Sequence, residues 1–251
     1  KIIISEDITE NIFKNVPLLK SNLQKCIRRG LTDKALVTGY NLIQQDFWSF
    51  IRRLIIISIE DVSVVENIPF LSWCLVAYPN FNLTNEMIQY LLLTIYGLCN
   101  FPKKIKIKKS YSTISKNIYE NIIEDPIKLG YLIRQEYGGL KGDMAMINYL
   151  LTKNINNKFI VKIPLKNLLL TRTISKLDII NPSIDFHITN KIYKYVSDLS
   201  EIKNHETIKK AIWNHSSSIN FREKQKNKGL KKEWKEIKKI VEDFCKQFKI
   251  Y

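Results

Sequence analysis

Asp185 and His187 stand two residues apart in SIDFH, and His215 precedes Ser216, Ser217, Ser218, Asn220 and Arg222 in the run HSSSINFR. A carboxylate, an imidazole and a hydroxyl are the groups of an acid–base pair, or of a nucleophile with its base. No serine here lies in a G-x-S-x-G elbow. No HExxH or comparable spacing offers a metal site, so neither a metal nor another cofactor is expected. The competing reading is structural. His187 and His215 neighbour Phe186 and Trp213, where a half-buried imidazole satisfies one hydrogen bond and the serines cap a helix or turn. His205 falls in the polar stretch KNHET. Asp185, His187 and His215 therefore stand as an alternative catalytic set, behind a non-enzymatic reading.

Cations are the second chemistry. Lysine and arginine number 40 against 24 aspartates and glutamates, a net charge of +16. Such an excess draws polyanions through the summed field and through counterion release. Nucleic acid is the first expected partner, DNA ahead of RNA, with other protein subunits, a second copy among them, beside it. Lys- and Ile-rich composition also arises from AT-rich coding, which is the bland account of the same charge. The candidate phosphate contacts are Arg28, Arg29, Arg52, Arg53, Lys103, Lys104, Lys106, Lys108, Lys109, Arg222, Lys231, Lys232 and Lys235. Trp213, Phe221 and Trp234 can stack on bases where they are exposed. The glycine turn YGGLKGD, residues 137–143, can present backbone amides to an anion.

These residues need elements to place them, and the apolar spacing predicts a mainly α protein. Leu18, Leu19, Leu23, Cys26 and Ile27 recur at helical intervals, as do Ala35, Leu36, Tyr40, Ile43 and Phe47. Thr32 or Asp33 is the expected cap of the second helix. In FIRRLIIISIEDV, residues 50–62, the β-branched run fits a buried strand, but Phe47, Ile51, Leu54, Ile55, Ser58 and Val62 share one helical face. Helix is the expectation. Further helices are expected at 68–78, at 84–99 with Asn82 or Thr84 as cap, at 114–123, 126–136 and 144–153, and at the C-terminus. There Leu230, Trp234, Ile237, Val241, Phe244 and Phe248 line one face. PKKIKIKKS, residues 102–110, alternates Lys and Ile and reads as a short edge strand or a basic linker. It marks a soft boundary between a region 1–101 and a basic, mostly helical region 111–251. Residues 158–188 have mixed periodicity.

The four cysteines form no CxxC pair and sit among apolar residues, as buried thiols of a reducing intracellular compartment do, in cytoplasm or nucleus. No apolar run approaches the ~18 residues of a membrane span. The chain begins with Lys1 rather than Met, as a fragment or a processed product would.

From SNLQKCIRRG to IEDV the chain resembles the C-terminal helical domain of the RarA/MgsA family, AAA+ ATPases related to clamp loaders that include the Werner-helicase-interacting protein. The matching residues are Ser21, Lys25, Arg28, Asp33, Ala35, Leu36, Arg52, Arg53, Leu54, Glu60, Asp61 and Val62. The resemblance covers about residues 18–100 and implies a helical bundle like a clamp-loader collar, which assembles subunits in replication or fork maintenance on DNA. The family's ATPase module has no counterpart, since no GxxxxGK[ST] occurs. The expected function is that of a non-enzymatic assembly and nucleic-acid-binding subunit of a replication, repair or genome-maintenance complex. The alternatives are a nucleic-acid-processing enzyme built on Asp185, His187 and His215, and a structural subunit whose charge offsets an acidic partner.

Overall fold

The computed structural model describes residues 2–4, 14–78, 80–111, 122–153, 159–163, 172–174, 177–187, 189–224 and 229–249. Over these residues the protein is mainly helical, with eleven α-helices. They are α1 (Val16–Arg29), α2 (Thr32–Gln45), α3 (Phe47–Ile57), α4 (Ile68–Ala77), α5 (Asn85–Asn100), α6 (Pro126–Glu136), α7 (Lys141–Leu151), α8 (Asn181–His187), α9 (Thr189–Leu199), α10 (His205–Ile212) and α11 (Lys231–Lys249). One short parallel pair joins β1 (Ile2–Ile4) to β2 (Arg172–Ile174).

Helix starts follow local chemistry. Asn15 accepts from the Leu18 amide at 3.1 Å, Asp46 from Ser49 at 2.8 Å, and Asp125 from Ile127 at 3.0 Å. Each side chain satisfies an amide that the helix itself leaves unpaired. Pro17 and Pro126 fall in first turns, where no amide donor is needed. Thr84 caps α5, as expected. The expected cap of α2 is corrected: Leu31 holds the cap position without a side-chain bond, and Thr32 and Asp33 lie within the first turn. Helix α1 ends at Gly30 in the left-handed conformation, φ 66°, with the Leu31 amide reaching back to the Cys26 carbonyl at 3.0 Å.

The stretch 50–62 is helical. Phe47, Ile51, Leu54, Ile55, Ser58 and Val62 are all buried. At Ser58–Val62 the α3 helix widens into a π turn. That turn directs both Glu60 and Asp61 at α1, where the Gln24 amide donates to Glu60 at 2.9 Å and to Asp61 at 2.8 Å.

The segment 101–111 is neither helix nor strand. It carries no strand ladder among the described residues, and its Ile105 amide donates to Val62 at 2.9 Å. Around it the buried apolar residues form one cluster, from Leu19 and Leu36 through Ile147 and Ile208 to Val241. Residues on both sides of the expected boundary share that core. Helix α6 presses on α4, where the Ser72 hydroxyl donates to the Gly130 carbonyl at 2.7 Å. Asn22, fully buried, ties α1 to α2 and α8. Its amide donates to Thr38 at 2.8 Å, and its oxygen accepts from the Ile180 amide and the Ser183 hydroxyl, both at 3.0 Å.

The expected helix at 114–123 falls mostly on residues outside those described, as do residues 158, 164–171, 175–176 and 188 of the mixed stretch 158–188 and the side chain of Phe248. Ile237 and Val241 are buried on the α11 face, as the spacing predicts, and Cys245 joins them. The four cysteines are buried and form no disulfide among the described residues. No helix among the described residues is long and apolar enough to cross a membrane.

Candidate anion-binding site

Two helices place polar residues at the same spacing on facing walls of one cavity. Pro17, Lys20, Ser21 and Gln24 come from α1, and Ser49, Arg52, Arg53 and Ile56 from α3. Residues at i, i+3, i+4 and i+7 share a helix face, so each set forms a single strip. Arg134 of α6, Gly139 and Leu140 of the α6–α7 turn, and Asp143 of α7 complete a cavity of about 430 Å³. Four cations line it against one carboxylate.

The arginines are held by design of the turn. Arg52 Nη2 donates to the Tyr137 carbonyl at 2.8 Å, and its guanidinium lies 5.9 Å over the Trp48 ring. Trp48 in turn meets Tyr137 edge to face at 5.2 Å. Arg134 donates to the Gly138 carbonyl at 2.8 Å and to the Arg52 carbonyl at 3.2 Å. The YGGLKGD turn has a further role that its sequence does not show. The turn offers its Tyr137 and Gly138 carbonyls to the arginines, and the Gly138 amide is taken by Gln135 at 2.8 Å. Gly138 has φ 62° and Gly139 φ 156°, backbone conformations that glycine adopts without penalty. The turn thus orients cations, and the cations face the cavity.

Arg53 joins the cavity to the buried network. It pairs with Asp143 at 3.7 Å and with Glu60 at 3.5 Å, and donates to Gln24. Behind it Arg28 holds Asp61, Nε to Oδ1 at 2.7 Å and Nη2 to Oδ2 at 3.0 Å, with both side chains buried. Burial, then the neighbouring Arg52, pulls the Arg134 guanidinium down to about 10. Burial raises the Asp143 carboxyl above its ordinary value, although Arg53 opposes it. Crowded, partly desolvated cations that outnumber the carboxylates beside them, Asp143 and Glu60, attract anions.

The remaining candidate residues divide between core and surface. Arg28 is spent on Asp61, and on the Ser217 carbonyl at 2.9 Å. Arg29 donates to the carbonyls of Lys25 at 3.2 Å and Ser216 at 2.5 Å. Arg222 clasps helix ends, donating to the carbonyls of Ile27 at 3.0 Å, Cys99 at 3.1 Å and Phe101 at 2.7 Å. These three guanidinia are structural clamps turned inward. Lys104 pairs with Glu223 at 3.1 Å, whereas Lys103, Lys106, Lys108 and Lys109 are exposed. Lys109 sits at the cavity's edge, its Nζ 3.0 Å from where a Cβ on Gly142 would stand, and its charge acts on Asp143. Lys231, Lys232 and Lys235 are exposed on α11 and do not line the cavity.

In the alternative catalytic set, Asp185 and His215 are engaged by different partners. Asp185 is buried and accepts from the Ser216 and Ser217 hydroxyls, both at 2.6 Å. Burial lifts its carboxyl to about 6. The His215 ring stacks on Trp234 at 6.0 Å and bonds the Gly229 carbonyl through Nε2 at 2.8 Å. The side chain of His187 lies outside the described residues. His205, which the sequence reading passed over, shares a separate cavity with Asp185, Tyr193 and Trp213. Trp213 and Phe221 are 42% and 48% exposed. No group of three or more metal-ligating side chains occurs among the described residues.

Lys20, Ser21, Gln24 and Arg134 are the site residues that sequence reasoning missed. The matched spacing in the two helices was visible, but its meaning depends on where α6 lands.

No family model, no curated protein and no solved structure matches this chain.

Proposed function

We propose that the protein is a non-enzymatic helical assembly subunit that binds nucleic acid, DNA first, by its phosphates, within a replication, repair or genome-maintenance complex. The observation that carries the binding half is the convergence of Lys20, Arg52, Arg53 and Arg134 on one cavity whose lining holds a single carboxylate, Asp143. Guanidinia with fixed, forked donors suit phosphate oxygens. The exposed lysines of 103–109 begin at that cavity's edge and supply sequence-independent attraction. For the assembly half, support comes from α4, which exposes Trp73 by 50% and Val76 by 53% beside Phe70. A partner subunit would cover exposed apolar residues grouped on one helix face in this way. The resemblance to the RarA/MgsA C-terminal domain suggests the setting.

Salt titration tests the binding. With a fluorescent duplex, log K should fall linearly with log salt, with a slope of about −3 to −4 for some four phosphate contacts. A flat curve between low and moderate salt would end the reading.

A further inference from the structure

We infer that the arginine cavity receives the phosphorylated end of a nucleic-acid strand, which rests on the nucleic-acid reading above and specifies its ligand. Four features point to an end rather than to a passing backbone.

Charge comes first. The lining sets Lys20, Arg52, Arg53 and Arg134 against Asp143 alone. An internal phosphodiester carries one negative charge, whereas a phosphomonoester carries about −1.5 to −2 at pH 7. Donors come next. Arg52 spends Nη2 on the turn and Arg134 spends Nε and Nη1. Among the described residues Arg52 Nε and Nη1 and Arg134 Nη2 have no partner. Ser21, a residue 5% exposed at the cavity wall, adds a buried hydroxyl with no hydrogen-bond partner. A buried hydroxyl left unpaired is destabilising, and a ligand oxygen would relieve it. A terminal phosphate offers three free oxygens to these donors, and a diester offers two.

Shape is the third feature. About 430 Å³ is the size of a pocket for a small ligand or one nucleotide. Walls on α1, α3 and the α6–α7 turn bound it. The fourth is the lysine-rich segment 103–109, docked on α7 by the Ser110 amide on the Ala145 carbonyl at 2.8 Å. It starts where the next phosphates of a strand leaving the cavity would pass, which favours a strand end over free phosphate.

The test uses anisotropy with one oligonucleotide sequence bearing a 5′-phosphate, a 3′-phosphate or hydroxyl ends, with inorganic phosphate and a mononucleotide as competitors. One phosphorylated end should bind about tenfold tighter than the hydroxyl form. Ser21→Ala should reduce that preference to about threefold or less, whereas Lys232→Gln on α11, outside the cavity, should leave the preference near tenfold. Ser21→Ala removes an unpaired buried hydroxyl and so leaves the fold intact; Arg52→Gln, at a half-exposed position, gives a second check of the same direction. Equal affinity for all three ends overturns the inference and leaves the nucleic-acid reading standing. Competition by inorganic phosphate or mononucleotide as strong as by the phosphorylated strand also overturns it. Failure of every strand to bind overturns both.

Discussion

At the scale of single residues, arginines of identical chemistry divide by helical phase. Arg28 is turned inward on Asp61, while Arg52 faces a cavity from the neighbouring helix. Removing one partner of a buried pair leaves an uncompensated charge. Arg28→Met should therefore lower the unfolding free energy by about 3–5 kcal/mol in urea titration, and Arg28→Met with Asp61→Leu should cost much less. Lys25 gives a pH signature. It is 2% exposed, and burial, then Arg28, brings its ammonium down to about 7. The unfolded chain then binds more protons than the folded chain between about 7 and 10.5. Stability should rise with pH across that window, and Lys25→Met should flatten the rise. An unchanged slope in the variant would assign the effect elsewhere. Types and spacing in the sequence marked Arg52 and Arg53 as notable. They did not distinguish them from Arg28, Arg29 and Arg222, because inward or outward direction is decided by which helix packs on which face.

At the scale of elements, the helices were legible where caps and apolar periodicity agreed. Helix α6 runs over Pro126–Glu136, as expected, and α5 starts after Thr84. The π turn after α3 was not legible, since nothing local in SIEDV distinguishes it from an α-helix. Nor was the role of the glycine turn, because sequence does not show which way its carbonyls point. The seating of α6 on α4 decides where Arg134 goes. A Cβ on Gly130 would stand 2.5 Å from Ile68 Cγ2 and 3.2 Å from the Ile68 carbonyl. Alanine there gains about 1 kcal/mol of helix propensity but forces the helices apart, at about 1–3 kcal/mol. Gly130→Ala should lower Tm and weaken oligonucleotide binding together. A higher Tm would show that the contact yields more readily than its geometry implies. Arg222 plays a similar part at the ends of α1 and α5. Its carbonyl contacts need a planar fork, so Arg222→Lys should destabilise nearly as much as Arg222→Ala, by about 2–3 kcal/mol in thermal or urea unfolding.

At the scale of the whole molecule, a mainly helical chain with one apolar core carries +16 of formal charge. Part of that charge is internal framework, part is exposed on 103–109 and α11, and part converges on the cavity between α1, α3 and the α6–α7 turn. If phosphate is recognised there, position should matter beyond charge. The direct measurement compares two variants of equal net charge, Lys20→Gln with Arg52→Gln in the cavity and Lys232→Gln with Lys235→Gln on α11, by their oligonucleotide affinity at one fixed salt concentration. The cavity variant should lose about tenfold or more and the α11 variant about threefold or less. Equal losses would contradict the account, since they would mean that diffuse charge alone holds the nucleic acid.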